Sequence, residues 1–162
     1  MMKWLGIGFG TPGIVIVLFL LFYPLCPILQ ITAAKTGMPL FCTRMAEGEE
    51  FILSFTHSVN KRPVYDTIRI EDDHLLIVKT RFDSFGAGMP ETARLGEDGR
   101  LELIVNRPVS EITFFVGWVA NHTLESRGKK VGFLSLAEPG TLLSLRIQKA
   151  SRYELWKGRC AQ

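Results

Sequence analysis

Two short stretches of this sequence carry side chains able to do chemistry. The first, Phe51–Pro63, reads FILSFTHSVNKRP and holds His57 and Ser58, and Asp66 follows shortly after it. An imidazole beside a carboxylate can move a proton or grip a polar ligand, because each group favours the charged form of the other. The second stretch, Phe82–Pro90, reads FDSFGAGMP, in which Gly86, Ala87, Gly88, Met89 and Pro90 make a glycine-rich loop. Glycine permits positive φ and close backbone approach, so such a loop could turn main-chain N–H groups toward an anion. It is neither a dinucleotide fingerprint nor a P-loop: the third glycine, the Gly-Lys-Ser/Thr ending and a following helical pattern are all missing. His122, after Asn121, is a further candidate for lining the same site.

These side chains must be positioned by a β-hairpin. Phe51 to Ser58 alternates apolar and polar residues, Val59–Arg62 reads as a four-residue turn, and Pro63 opens the next strand. The expected register pairs Ser58 with Pro63, setting His57 opposite Val64 and Phe55 opposite Asp66, on one face with Leu53 and Ile68. A slip by one residue would turn the apolar set to the other face. In the expected register His57 and Asp66 are diagonal neighbours. They either satisfy one another at the rim of the core or meet a ligand or partner, and both readings stay open. A Ser58–His57 nucleophile–base pair is disfavoured, because adjacent strand residues point to opposite faces. The expectation is a binding or accessory module, not an enzyme, with no cofactor.

The rest of the chain after Pro39 breaks into short β-rich runs at roughly ten-residue intervals. Leu75–Phe82, Leu101–Val105, Glu111–Trp118, Val131–Leu136 and Leu142–Gln148 are the clearest. The predicted fold is all-β, an antiparallel sandwich or barrel of about eight or nine strands. The net charge is only +3 and its Lys and Arg residues are scattered, which argues against a nucleic-acid surface. No cysteine or histidine spacing suggests zinc. Cys42 and Cys160 could staple the first strand to the tail in an oxidising compartment, or remain free thiols.

The N-terminus differs in kind. Between Lys3 and Lys35 the only ionisable residues are Tyr23 and Cys26. A run of about 20 apolar residues can cross a bilayer as a helix. Residues 1–35 are therefore expected to be a transmembrane anchor or a signal peptide, with Ile31–Ala34 as a weak cleavage site, and residues 36–162 an extracytoplasmic β domain. Trp118 and Trp156 read as core residues or membrane-proximal anchors.

The two motifs together resemble a bacterial family of unknown function, whose members are small membrane-anchored proteins encoded beside TAXI-type TRAP transporters. Thr56, His57, Ser58 and Val59 fit its Thr/Arg-His-Ser-Val turn, Pro63-Val64 its following element, and Ser84 to Pro90 its Ser-Phe/Tyr-Gly-Ala-Gly-Met/Leu-Pro loop. Asp66 stands where glutamate is commoner. The resemblance implies a place at the bacterial inner membrane, with the β domain in the periplasm. It also implies partners, the transporter's membrane subunit and its TAXI-type solute-binding protein, but no reaction. The function expected on that basis is that of an accessory or regulatory subunit. The alternative is a periplasmic module that binds or senses a small ligand such as an organic acid.

Overall fold

The computed structural model describes residues 10–86, 88, 92–158 and 160. Helix α1 (Gly10–Phe22) precedes β1 (Pro24–Ala33), β2 (Pro39–Arg44), β3 (Glu50–Thr56), β4 (Pro63–Glu71) and β5 (His74–Phe82). Then come β6 (Arg94–Leu95), β7 (Leu101–Val109), β8 (Glu111–Phe115), β9 (Thr123–Ser126) and β10 (Lys129–Gly132). A 3₁₀ turn at Phe133–Ser135, β11 (Leu142–Ser151) and the short helix α2 (Arg152–Trp156) complete the described chain.

The strands form two antiparallel sheets, ordered β2-β1-β11-β8 and β10-β9-β3-β4-β5-β7-β6. Leu29, Ile31, Leu143 and Leu145 from the first sheet share one buried cluster with Phe51, Leu53, Ile68 and Leu124 from the second. The sheets therefore pack face to face, as expected for an all-β sandwich.

The apolar N-terminus divides where the sequence reading did not divide it. Helix α1 has 13 residues and stops at Phe22, because the residue before Pro24 is pushed out of helical geometry. At about 1.5 Å per residue it is roughly 20 Å long, short of a hydrocarbon core of about 30 Å. Among the described residues, no helix is long and apolar enough to cross a membrane, so the expected transmembrane helix is not seen.

The residues that follow belong to the domain. Strand β1 lies between β2 and β11, pairing Ile31 with Phe41 on one side and with Leu145 on the other. Its Leu29 and Ile31 face the other sheet. Ile28, on the opposite face, is covered by Ala150 and Leu155. Burial on both faces gives a nearly continuous apolar run, the feature that makes such a strand resemble a membrane segment. The expected boundary at residue 35 moves to Tyr23, and β1 belongs to the sandwich.

Contacts between turns define the two ends of the molecule. Strand β1 carries the chain roughly 33 Å away from α1, at about 3.3 Å per residue. At that far end Ala34 bonds to Leu142, Val116 to Thr141, and the Thr56 N–H to the Ala120 carbonyl at 2.7 Å. Helix α2 packs at the near end, beside α1.

Candidate functional site

The β3–β4 hairpin closes one pair earlier than expected. Thr56 pairs with Pro63, Phe55 with Val64 and Leu53 with Asp66. The His57 N–H donates to the Arg62 carbonyl at 2.9 Å, which leaves Ser58–Lys61 as the four-residue turn. A shift of two residues preserves which side chains face inward, so the parity reading holds. It does separate the proposed pair.

Asp66 lies opposite Leu53, four residues before His57, or roughly 13 Å along the strand. Its carboxylate accepts a hydrogen bond from Thr80 Oγ1 at 2.6 Å, and among the described residues it makes no hydrogen bond to His57. The expected imidazole–carboxylate pair is therefore corrected. A short polar neighbour on β5 takes the place of the imidazole and satisfies the acid within the sheet.

Burial pushes the Asp66 carboxyl above the ordinary carboxylate value, with the Thr80 bond opposing the shift. A raised native value means that the folded state binds the proton more tightly than the unfolded chain. Stability is then lost as pH rises from the unfolded value of about 3.9 through the native one, and stays lower above it. Asp66→Asn keeps an acceptor for Thr80 and removes the charge. It should raise the melting temperature at pH 7 and lose that advantage near pH 3, as read by calorimetry.

The glycine loop does reach His57. The Val59 N–H donates to His57 Nδ1 at 3.4 Å, so the fitting neutral tautomer carries its proton on Nε2. A Cβ placed on Gly88 would lie 3.7 Å from that Nε2. Gly88 also has φ +83°, a conformation costly for residues with a side chain. A Cβ on Gly86 would lie 3.5 Å from Asn60 Nδ2, and the Asn60 side chain accepts from the Arg62 N–H. The two motifs therefore fold against each other at the far end of the sandwich. Ser58 is exposed in the turn. Ala87, Met89 and Pro90 lie outside the described residues.

His122 takes another place. Its ring stacks on Phe114 with centroids 4.5 Å apart and lies near Phe55 and Phe133. It is thus half-buried among aromatic rings at this end of the molecule. Its Nδ1 is buried with no hydrogen-bond partner among the described residues, and burial lowers its pKa. The unfolded chain therefore takes up a proton first as pH falls. Stability present above about 6.5 is lost as pH drops from there toward the lower native value. The melting temperature should fall between pH 7 and pH 5, and fall less in His122→Phe.

A third turn completes the end. Residues 116–122 are tied to β3 through Ala120 and carry Trp118, 74% exposed, beside exposed Val119. Val59 and Phe85 are exposed on the neighbouring turns. Asn60, Trp118 and Val119 were not singled out as site residues in the sequence. Strand β8 was expected to run to Trp118, but it stops at Phe115. Asn121, with φ +42°, was the local sign of the turn.

Residues 51–133, just over half of the chain, match the family described as a domain of unknown function, DUF1850. The chain belongs to that family. No curated protein and no solved structure matches it. The DUF1850 segment spans β3 to β10 and contains all three turns of the far end, while β1, β2 and β11 come from its flanks. Among the described residues of this DUF1850 protein, no group of three or more His, Cys, Asp or Glu could hold a metal ion.

The DUF1850 sandwich also has an open edge. A groove of about 470 Å³ runs between β2 and β9–β10, with Phe41, Leu124 and Val131 along it and Arg127, Lys129 and Lys130 at its rim. Arg127 pairs with Glu49 and Lys130 with Glu125.

Proposed function

We propose that this DUF1850 protein is an accessory subunit of a TAXI-type TRAP solute transporter. In this reading its N-terminal apolar segment holds it at the inner membrane, and its β domain docks in the periplasm without doing chemistry. One observation carries the docking role. Two motifs distant in sequence, Thr56–Val59 and Ser84–Gly88, meet at one end of the sandwich, rimmed by exposed Val59, Phe85, Trp118 and Val119. Clustered exposed apolar side chains around a polar centre suit a protein contact. The link to TRAP transporters rests on the resemblance of these same motifs.

Two further features support the reading. Trp4 to Phe22 is a run of 19 uncharged residues, close to the length needed to cross a bilayer. The Cys42–Cys160 disulfide suits an oxidising compartment. The far end lies roughly 33 Å from α1 along β1, and this favours the soluble solute-binding protein as the partner met there.

Co-purification of a tagged copy with the transporter's subunits tests the proposal. Trp118→Asp should abolish capture while leaving the melting temperature of the domain within a few degrees of the parent. Gly88→Val should also abolish capture, with a lowered melting temperature because its backbone is held at positive φ. A chain that purifies alone, together with solute uptake unchanged on its deletion, would overturn it.

The groove supports a second reading, a module that binds a small organic acid. A carboxylate could meet Lys129, which has no ion-pair partner among the described residues. Thermal-shift screening of the full chain against organic acids tests it, because a selective ligand raises the melting point. Lys129→Glu should remove that rise.

A further inference from the structure

Helix α1 is apolar on every side. From Ile14 to Phe22 each residue is between 40% and 65% exposed. A helix without a polar face needs hydrocarbon or protein around it. What stands at its foot indicates which. Helix α2 is held there firmly: Ser151 and Glu154 form a reciprocal capping box, and Leu155 is buried with Ile28 and Ala150. The Cys42–Cys160 bond ties down the chain just beyond it.

The other side chains of this corner form a mixed aromatic and cationic set. Tyr153 packs on Phe22 at 4.8 Å and next to Trp156 at 6.2 Å. Lys157 Nζ lies 4.8 Å above the Tyr153 ring. Tyr23 stacks on Phe19, Arg152 is exposed, and Trp156 is 80% exposed. The one acid of α2, Glu154, accepts from the Ser151 N–H in the capping box, while Arg152 and Lys157 are both exposed.

We propose that Tyr23, Arg152, Tyr153, Trp156 and Lys157 form a collar that seats the domain in the headgroup layer of an anionic membrane. This inference rests on the membrane-anchor part of the function proposed above. Indole and phenol rings have an apolar body and a polar tip, which suits the boundary between acyl chains and water. Arginine and lysine beside them meet lipid phosphates and the negative surface potential of anionic lipids. The apolar helix enters the hydrocarbon, the aromatic ring set lies at its boundary, and the cations face the phosphates. The charge of the corner therefore selects a lipid surface over another apolar helix as its occupant. A seated collar would also fix the tilt of the sandwich and hold its far end away from the bilayer.

The test uses the full chain in vesicles of phosphatidylcholine with phosphatidylglycerol. Trp4→Phe with Trp118→Phe leaves Trp156 as the sole indole. A second chain carries Ile16→Trp, with Trp4, Trp118 and Trp156 each changed to Phe, and reports on α1. Lipids brominated near the carbonyl end of the acyl chain should quench Trp156, and its emission should be blue-shifted from that of water-exposed indole. Arg152→Glu with Lys157→Glu should weaken that quenching several-fold. Quenching at position 16 with water-like, unquenched emission at Trp156 would overturn the collar and spare the anchor. Absence of quenching at both positions would overturn the anchor as well. Blue-shifted but unquenched emission at Trp156 would point to a protein surface, and also overturns the collar.

Discussion

A chain reduced to residues 36–162 should fail to fold, whereas one beginning at Pro24 should melt cooperatively. Both lack α1, so the comparison isolates β1 and the turn after it. Strand β1 is interior to its sheet and bonds to β2 over Ile28–Thr32 and to β11 from end to end. Without it β2 has no partner strand and β11 keeps only β8. Ile28, Leu29 and Ile31 are each fully buried. Burying three such side chains contributes roughly 5–9 kcal/mol. A whole domain is stable by only about 5–15 kcal/mol, so the loss is of the same size as the total. Circular dichroism melts and the amide dispersion of a nitrogen–proton NMR spectrum distinguish the outcomes. A fragment 36–162 with a cooperative melt near that of 24–162 would show that β1 is dispensable. Cleavage of a signal at Ile31–Ala34 would make the same cut and remove most of β1 from its sheet.

How much was legible in the sequence depended on whether a strand had one buried face or two. Strands β3 and β4 bury one face and leave the other mostly half-exposed, so their alternation was readable. The inward set of Phe51, Leu53, Val64, Ile68 and Ile70 was recovered even though the register was off by two. Parity is what the core enforces. The closing pair is set by local turn geometry, here by the bonds of His57 with Arg62 and Lys61. Strand β1 has no alternation to read because α2 covers its second face. Pro24, Pro27 and the β-branched Ile31 and Thr32 were the signals against a continuous helix. Strands β9 and β10, four residues each around Arg127-Gly128, are too short for a periodic signal.

The candidate site was legible as two motifs but not as a geometry. That the Gly86–Gly88 loop returns to the His57 turn follows from β5 pairing with β4, which brings Phe82 beside Val64 at the same end. That His57 and Asp66 part follows from two residues of register. Trp118 was visible as an aromatic, but its exposure depends on a strand ending at Phe115, and hydropathy alone would have buried it.

Removing the Cys42–Cys160 bond should lower the melting temperature by on the order of 15 °C. The bond closes a loop with a sequence separation of 118 residues. Loop-closure entropy for a ring of that length gives about 5 kcal/mol of stabilisation, and at roughly 3 °C per kcal/mol for a domain of this size the shift follows. The bond also fastens the segment after α2 to β2, where it covers Ile28. The cleanest comparison is Cys42→Ser with Cys160→Ser against the parent, because Cys26, a free thiol, packs on the same small cluster. A single replacement would leave the stranded thiol close to Cys26 and open to a substitute bond. Reductant should reproduce the double-variant melt in the parent and change nothing in the double variant, while Cys26→Ser alone should melt like the parent. If reductant leaves the parent's melting temperature unchanged, the tail is held by packing alone, and the disulfide no longer supports an oxidising compartment.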